Sequence, residues 1–425
     1  MWEGLARTRR QDRLLHGSAK AANVFVGLLA MPLWLIGQLL GGRVRDLLTR
    51  LEARGRRPLP VPAPTERSME ALMGDLNAIP QQLERHPFAE LRFGMGDISN
   101  FVLAQQRAGV LLGYRYPAQF QDHIFEGADG ERISATIALQ QAARPGLIVV
   151  HGLFTSSRFN YVRQIAVRAF YEWGFNVAVI DLRSFGMTEL TSPAPSTAGW
   201  KEGADVVALA GYMKELGSTS VGTLGISLGG SSVLNACDKD DAGDALDGGI
   251  LAVSPPAVPK QAWDRLAEPV PRRHPRYPIH AAFKAALISR VRSGRWPPEA
   301  EDMARVLEFV SAPYYGVSAD EIWAKARGVD HVPGSKVPLL VLHPVDDQIV
   351  KVDQARLLDE AAEGNDLVRV WILPAGAHGL LETADASWTH AVYRSFFERW
   401  AGYAESRPGE PGRSAEVVYS AAQTG

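Results

Sequence analysis

A single cysteine, Cys237, stands in a chain of 425 residues, so no intrachain disulfide framework is possible. An excess of charge is also missing. The 45 Lys and Arg nearly balance the 47 Asp and Glu, leaving a formal net charge of -2, and the basic residues are not interleaved with aromatics. Nucleic acid is therefore not an expected partner. No Cys/His cluster has zinc spacing and no Gly-rich loop matches a Walker pattern, so neither a metal nor an organic cofactor is implied. What remains is ordinary for a globular protein: 46% hydrophobic and 22% charged residues, in a length that accommodates one large α/β domain with extensions.

Long apolar runs are scarce too, with one exception. Residues 21–40 (AANVFVGLLAMPLWLIGQLL) carry no charge, and about twenty such residues suffice to cross a bilayer. Arg7, Arg9, Arg10, Arg13 and Lys20 precede the run, and Arg43, Arg45, Arg50 and Arg54 follow it. This symmetry leaves orientation undecided. The long charged leader and the lack of a small-residue cleavage site argue against a signal peptide. The expectation is a membrane anchor, spanning or monotopic, with the catalytic part on the cytoplasmic side. A helix hairpin, buried or interfacial, competes because Gly27, Pro32, Gly37 and Gln38 interrupt the run, and a soluble cytoplasmic protein is the alternative.

Residues 57–64 (RPLPVPAP) read as an extended linker, since proline cannot continue a helix. Amphipathic helices are predicted over 68–83 and 97–112 from the spacing of Met69, Leu72, Met73 and Leu76, and of Ile98, Phe101 and Val102. A hairpin follows over 121–126 and 132–139. Strands predicted at 147–151, 175–181, 221–226, 249–253, 337–343 and 367–373 then alternate with helices at 159–173, 201–216, 228–237, 352–362 and 384–403, the pattern of a mainly parallel sheet covered on both faces. Segment 255–333 interrupts the alternation with helical patterns at 281–291 and 300–310 and many aromatics. It is expected to form a cap over the carboxyl ends of the strands. The predicted organisation is thus 1–64 anchor and linker, 65–119 helical extension, 120–404 catalytic domain with its cap, and 405–425 a loose tail.

The stretch 221–235 (VGTLGISLGGSSVLN) organises this domain. A β-branched run meets Gly225-Ile226-Ser227-Leu228-Gly229 and then a helical pattern: strand, tight turn, helix. A Gly-x-Ser-x-Gly at such a turn lifts the serine hydroxyl above the sheet and aims the helix amides at developing negative charge. A serine needs a base, and the base needs a carboxylate to orient it. In this arrangement the acid follows the serine and the histidine follows the acid. His378, in a loop leaving the last strand, is the candidate base; its rival His390 lies inside the final helix. Ser254-Pro255-Pro256 offers no carboxylate after the sixth strand, so the acid is Asp346 or Asp347, and the other caps the following turn. His151-Gly152 after a strand permits a sharp turn that brings the amide of Leu153, or of Phe154, beside Ser227, where it pairs with the amide of Leu228 as an oxyanion hole.

Residues 151–190 (HGLFTSSRFNYVRQIAVRAFYEWGFNVAVIDLRSFGMTEL), the elbow, VSAPYYGVSADEIWAKA and PLLVLHPVDDQIV together resemble the α/β-hydrolase superfamily, most closely its YheT-type branch. The resemblance spans about 120–400. It implies an α/β-hydrolase fold, with Ser227 as nucleophile, Asp347 as acid, His378 as base, and Leu153 and Leu228 as oxyanion donors. The chain departs from the branch at Leu153-Phe154-Thr155, where a second glycine is common, and at Ser184 and Gln348, where glycine and proline are usual. The expected activity is hydrolysis of carboxylic esters with an apolar acyl chain. Acyl transfer to an alcohol, and a non-enzymatic binding protein on the same scaffold, are the alternatives.

Overall fold

A computed structural model describes residues 59, 61, 63–64, 66–80, 116–239, 241–271, 277–379 and 381–402. Its centre is an eight-stranded sheet: β1 (Gln121–Glu126), β2 (Arg132–Ala138), β3 (Arg144–Val150), β4 (Asn176–Ile180), β5 (Ser218–Ile226), β6 (Ile250–Val253), β7 (Leu339–Pro344) and β8 (Val368–Leu373). The spatial order is β1-β2-β4-β3-β5-β6-β7-β8. The β1–β2 and β2–β4 pairs are antiparallel, and every other pair is parallel. This is the α/β-hydrolase fold. The order reverses at β3, which lies between β4 and β5, and in open α/β sheets the carboxyl ends at such a reversal are where ligands bind.

The burial of β3 shows how the layers assemble. Leu147, Ile148, Val149 and Val150 are all fully buried, because a strand covered on both faces has no solvent side and needs no polar alternation. Side chains along a strand still alternate in direction. Leu147 and Val149 join one apolar cluster, with Val162, Ile165 and Ala169 of the helix Asn160–Tyr171 and Trp388, Val392 and Phe396 of the helix Leu381–Phe397. Ile148 and Val150 join another, with Val206, Leu209 and Met213 of Trp200–Glu215, Val233 and Leu234 of Leu228–Ala236, and Leu358 of Val352–Ala361.

The helix Met69–Ala78 belongs to the first of these layers. Ser68 caps it by accepting from the amide of Ala71, and Leu72 and Leu76 are wholly buried. It stops earlier than its periodicity predicts because Pro80 disfavours the helical region for the residue before it; Ile79 is extended, at ψ 118°. Arg399, also fully buried, donates to the carboxylate of Asp75 and the carbonyl of Glu66, tying this helix to the last helical segment among the described residues.

Between β6 and β7 the chain forms a largely helical insertion from Pro259 to Gly334. Its longest helix, Tyr277–Arg292, starts earlier than the predicted 281–291. The helix predicted over 300–310 is not a regular α-helix. Asp302 is extended at ψ 108° and its carboxylate accepts from the amide of Ala304, so the path breaks into short 3-10 turns followed by a wide turn at Leu307–Ser311. The last helix likewise gives way to a wide turn at Glu398–Gly402. The apolar run 21–40, the predicted helix 97–112 and the tail 405–425 lie outside the described residues. Among the described residues, no helix is long and apolar enough to cross a membrane.

Since Leu76 fills the same cluster as the central strands, Leu76→Ala should destabilise the whole catalytic unit by about 2–5 kcal/mol. Urea unfolding monitored by tryptophan fluorescence would measure this, and a loss below about 1 kcal/mol would show that the helix is peripheral.

Candidate active site

Ser227 follows β5 directly with φ 58° and ψ −116°, outside the regions that a residue with a Cβ adopts freely. Its glycine neighbours make the turn possible. A Cβ on Gly225 would lie 2.2 Å from the carbonyl oxygen of Gly229, and one on Gly229 would lie 2.3 Å from that of Val150. Any side chain at either position would force β3, β5 and the following helix apart. The turn is pinned by the Ser227 amide donating to the carbonyl of Val253 at 2.9 Å and by the Ser231 amide donating to that of Ser227 at 2.9 Å.

His378 and Asp347 meet this serine from the ends of β8 and β7. The imidazole Nε2 is 2.9 Å from Ser227 Oγ, and Nδ1 is 2.8 Å from Asp347 Oδ2. The other carboxylate oxygen of Asp347 accepts from the amides of Ile349 and Val350, each at 2.9 Å. A carboxylate only accepts, so the ring proton belongs on Nδ1 and Nε2 is left to accept the serine hydroxyl. The Asp347 side chain is fully buried. Burial by itself pushes its pKa up, but the His378 ring, the His343 ring and the Val350 amide together outweigh that, and the net shift is downward. Asp347 is thus kept ionised.

Asp346 faces a different way. Its Oδ1 accepts from the amide of Ala377 at 2.8 Å, one residue before His378, instead of capping the turn that follows it. Ala377 has φ 50°, a left-handed conformation unusual for alanine, so this bond secures a strained point in the histidine loop. The pair is divided: Asp347 holds the ring and Asp346 the backbone. His343 is buried behind them and donates from Nε2 to the carbonyl of Val350 at 2.9 Å; desolvation lowers its pKa and keeps it neutral. His390 is not at this site. It is buried in the last helix with its ring near those of Trp173 and Tyr393.

The turn after β3 passes beside Ser227. A Cβ on Gly152 would touch the serine Cβ at 3.4 Å. Thr155 donates from its amide (3.3 Å) and hydroxyl (2.7 Å) to the Gly152 carbonyl, closing a four-residue turn around Leu153 and Phe154. His151 joins two loops. The Leu182 amide donates to its Nε2 at 3.1 Å, which leaves the proton on Nδ1 to be donated to the Gly152 carbonyl at 2.8 Å; burial keeps the ring neutral, as that arrangement requires. The Gly152 amide is taken by the Tyr161 hydroxyl at 2.9 Å. Among the described residues, the amides of Leu153, Phe154 and Leu228 have no protein acceptor.

Sequence reading overlooks Tyr161, Thr155 and the part played by Asp346, because their partners are backbone groups that no spacing reveals. No group of three or more His, Cys, Asp or Glu among the described residues is placed to hold a metal ion.

A family model described as "Alpha/beta hydrolase family" matches residues 147–390. A monoacylglycerol lipase of Saccharomyces cerevisiae is 25% identical over 228 residues, 50% of this chain and 49% of that protein, so the chain spans about half the length of this curated relative. Similar solved structures include an esterase of Pyrococcus furiosus, with TM-score 0.48, 18% identity and coverage of 67% of this chain and 93% of that one. A thermophilic esterase of Thermogutta terrifontis gives TM-score 0.43 at 20% identity, over 66% and 99% of the two chains.

The clamp on Ala377 yields a stability prediction. Asp346→Ala removes a solvent-exposed hydrogen bond to the Ala377 amide and should lower stability by about 0.5–1 kcal/mol, whereas Asp346→Asn keeps an acceptor oxygen in place and should cost less than half as much. Chemical denaturation of the two variants would show this ranking, and equal losses would mean that the bond does not carry the effect.

Proposed function

The chain belongs to the Alpha/beta hydrolase family, and from that premise we propose that it is a serine hydrolase of carboxylic esters. The observation that supports this reading most is the unbroken chain of contacts from Asp347 through His378 to Ser227, at 2.8 and 2.9 Å. In the proposed reaction Ser227 Oγ attacks the ester carbonyl while His378 Nε2 takes its proton. The negative charge developing on the carbonyl oxygen is met by the amides of Leu153 and Leu228, and Asp347 stabilises the imidazolium. His378 then returns the proton to the leaving alcohol, and water, activated by the same ring, hydrolyses the acyl-enzyme.

An apolar acyl group suits the insertion between β6 and β7. Leu287, Met303 and Val306 are buried there together, with Phe154, Trp263, Phe283 and Trp296 packed against them. Phe154 adjoins Leu153, so the apolar cluster begins one residue from a proposed oxyanion donor. Assignment to the YheT-type branch, division of the chain at about 64, 119 and 404, and anchoring through residues 21–40 are parts of the same proposal and rest on sequence.

Ser227→Ala and His378→Ala should each lower turnover of a short activated ester by about a thousandfold or more, and Asp347→Asn by about a thousand- to ten-thousandfold because it favours the wrong imidazole tautomer. Wild type should be labelled by a fluorophosphonate probe, and Ser227→Ala should not. Retention of more than about a tenth of the activity in either alanine variant, with folding intact by circular dichroism, would refute the assignment.

A further inference from the structure

Two residues beside the site share an unusual backbone: Phe154 has φ 54° and Ser184 has φ 69°, and neither is glycine. In a four-residue turn closed from Thr155 to Gly152, a positive φ at the third residue is the conformation that favours glycine. Phenylalanine there must be held by something outside the turn.

The holding contacts come from the insertion. The Phe154 ring lies 4.9 Å from that of Phe283, on the helix Tyr277–Arg292, and 5.7 Å edge-on from that of Phe185. Arg290, two turns further along the same helical face, places its guanidinium 5.5 Å from the Phe154 ring centre, 5.7 Å from that of Phe185 and 5.3 Å from that of Trp296. The same group donates to the carbonyl of Ser184 at 3.0 Å and pairs with Glu189 at 2.8 Å. Both side chains of this pair are largely buried, so solvent screens them little. A single cap residue therefore contacts both strained residues at once.

We infer that Arg290 and Phe283 are positioning residues that lock the Gly152–Thr155 turn through the Phe154 ring, so that the Leu153 amide is presented to the carbonyl oxygen only when the cap is seated. The catalytic half of this inference rests on the hydrolase reading above; the brace itself does not. The rest of the insertion has its own attachments. Tyr315 donates to the carbonyl of Pro195 at 2.6 Å and accepts from Arg183, and Ser311 donates to the carbonyl of Ser196 at 2.7 Å. Loss of Arg290 thus frees the turn without detaching the cap.

A double-mutant cycle tests the link. Arg290→Met, which keeps an apolar stem, should lower kcat for a short activated ester about tenfold or more with KM changed less than about twofold, because an oxyanion donor acts on the transition state. In a Phe154→Gly background, where the turn no longer needs a brace, the same substitution should change kcat less than about twofold. An equal fall in both backgrounds, or an effect on KM alone, overturns the catalytic role. Phe283→Leu, run through the same cycle, supplies the answer if Arg290→Met fails to fold. Hydrogen exchange of the peptide 151–157 reads the brace without turnover: faster exchange in Arg290→Met than in wild type is expected, and unchanged exchange overturns the brace whatever the protein hydrolyses. Faster exchange in a protein with no esterase activity and no fluorophosphonate labelling would retain the brace and refute both the hydrolase reading and the catalytic role.

Discussion

At Ser227 the chain must reverse from strand to helix within one residue while keeping the half-buried side chain above the sheet, and the surrounding structure is built to tolerate that. A backbone at φ 58°, ψ −116° costs of order 1–3 kcal/mol. It persists because Gly225 and Gly229 admit carbonyl oxygens where any Cβ would collide, and because the serine amide is bonded to β6. The β5 strand beneath is buried through Val221, Leu224 and Ile226, so the strained residue stands on a support that cannot relax without exposing core.

The same device recurs along the carboxyl edge of the sheet. Phe154 after β3, Ser184 after β4, Ser254 after β6 and Ala377 after β8 all have positive φ without being glycine. Each is tied by an interaction from another segment: Phe154 by the cap aromatics, Ser184 by Arg290 and by the Ser196 amide, Ser254 by the Gly379 amide at its hydroxyl, and Ala377 by Asp346. Most of the non-glycine residues with positive φ lie where the proposed chemistry would occur, and the buried strands behind them supply the stability that offsets the strain.

Electrostatics follow the same economy. Asp347 is buried yet ionised because two amides and an imidazole face it. His151 and His343 are buried and neutral, and each is used as a donor that locks a loop. Away from the site, Arg183 and Asp205 form a buried bidentate pair at 2.6 and 2.8 Å, with the Asp205 carboxyl pushed up to about 6 by desolvation in spite of its partner. Such a pair adds little net stability compared with apolar packing, but removing either partner would leave the other charge buried and unsatisfied.

Periodicity and turn chemistry determined a good deal by themselves. The unbroken apolar runs within β3, β6 and β7, the glycines around Ser227 and the loop placement of His378 are local properties, and they marked both the sheet and the serine and histidine worth considering. Two predicted helices were cut short by local features, the Asp302 carboxylate on the Ala304 amide within 300–310 and Pro80 after Ile79, and only packing shows that the stretch from Met69 joins the main core. Which of two adjacent aspartates faces the imidazole depends on the direction in which β7 delivers each side chain. The bond from Asp346 to Ala377 spans 31 residues, and the contact from Arg290 to Ser184 spans 106. No pattern along the chain encodes such pairings, because they exist only once the sheet has brought the ends of its strands to one edge and the cap has folded over them.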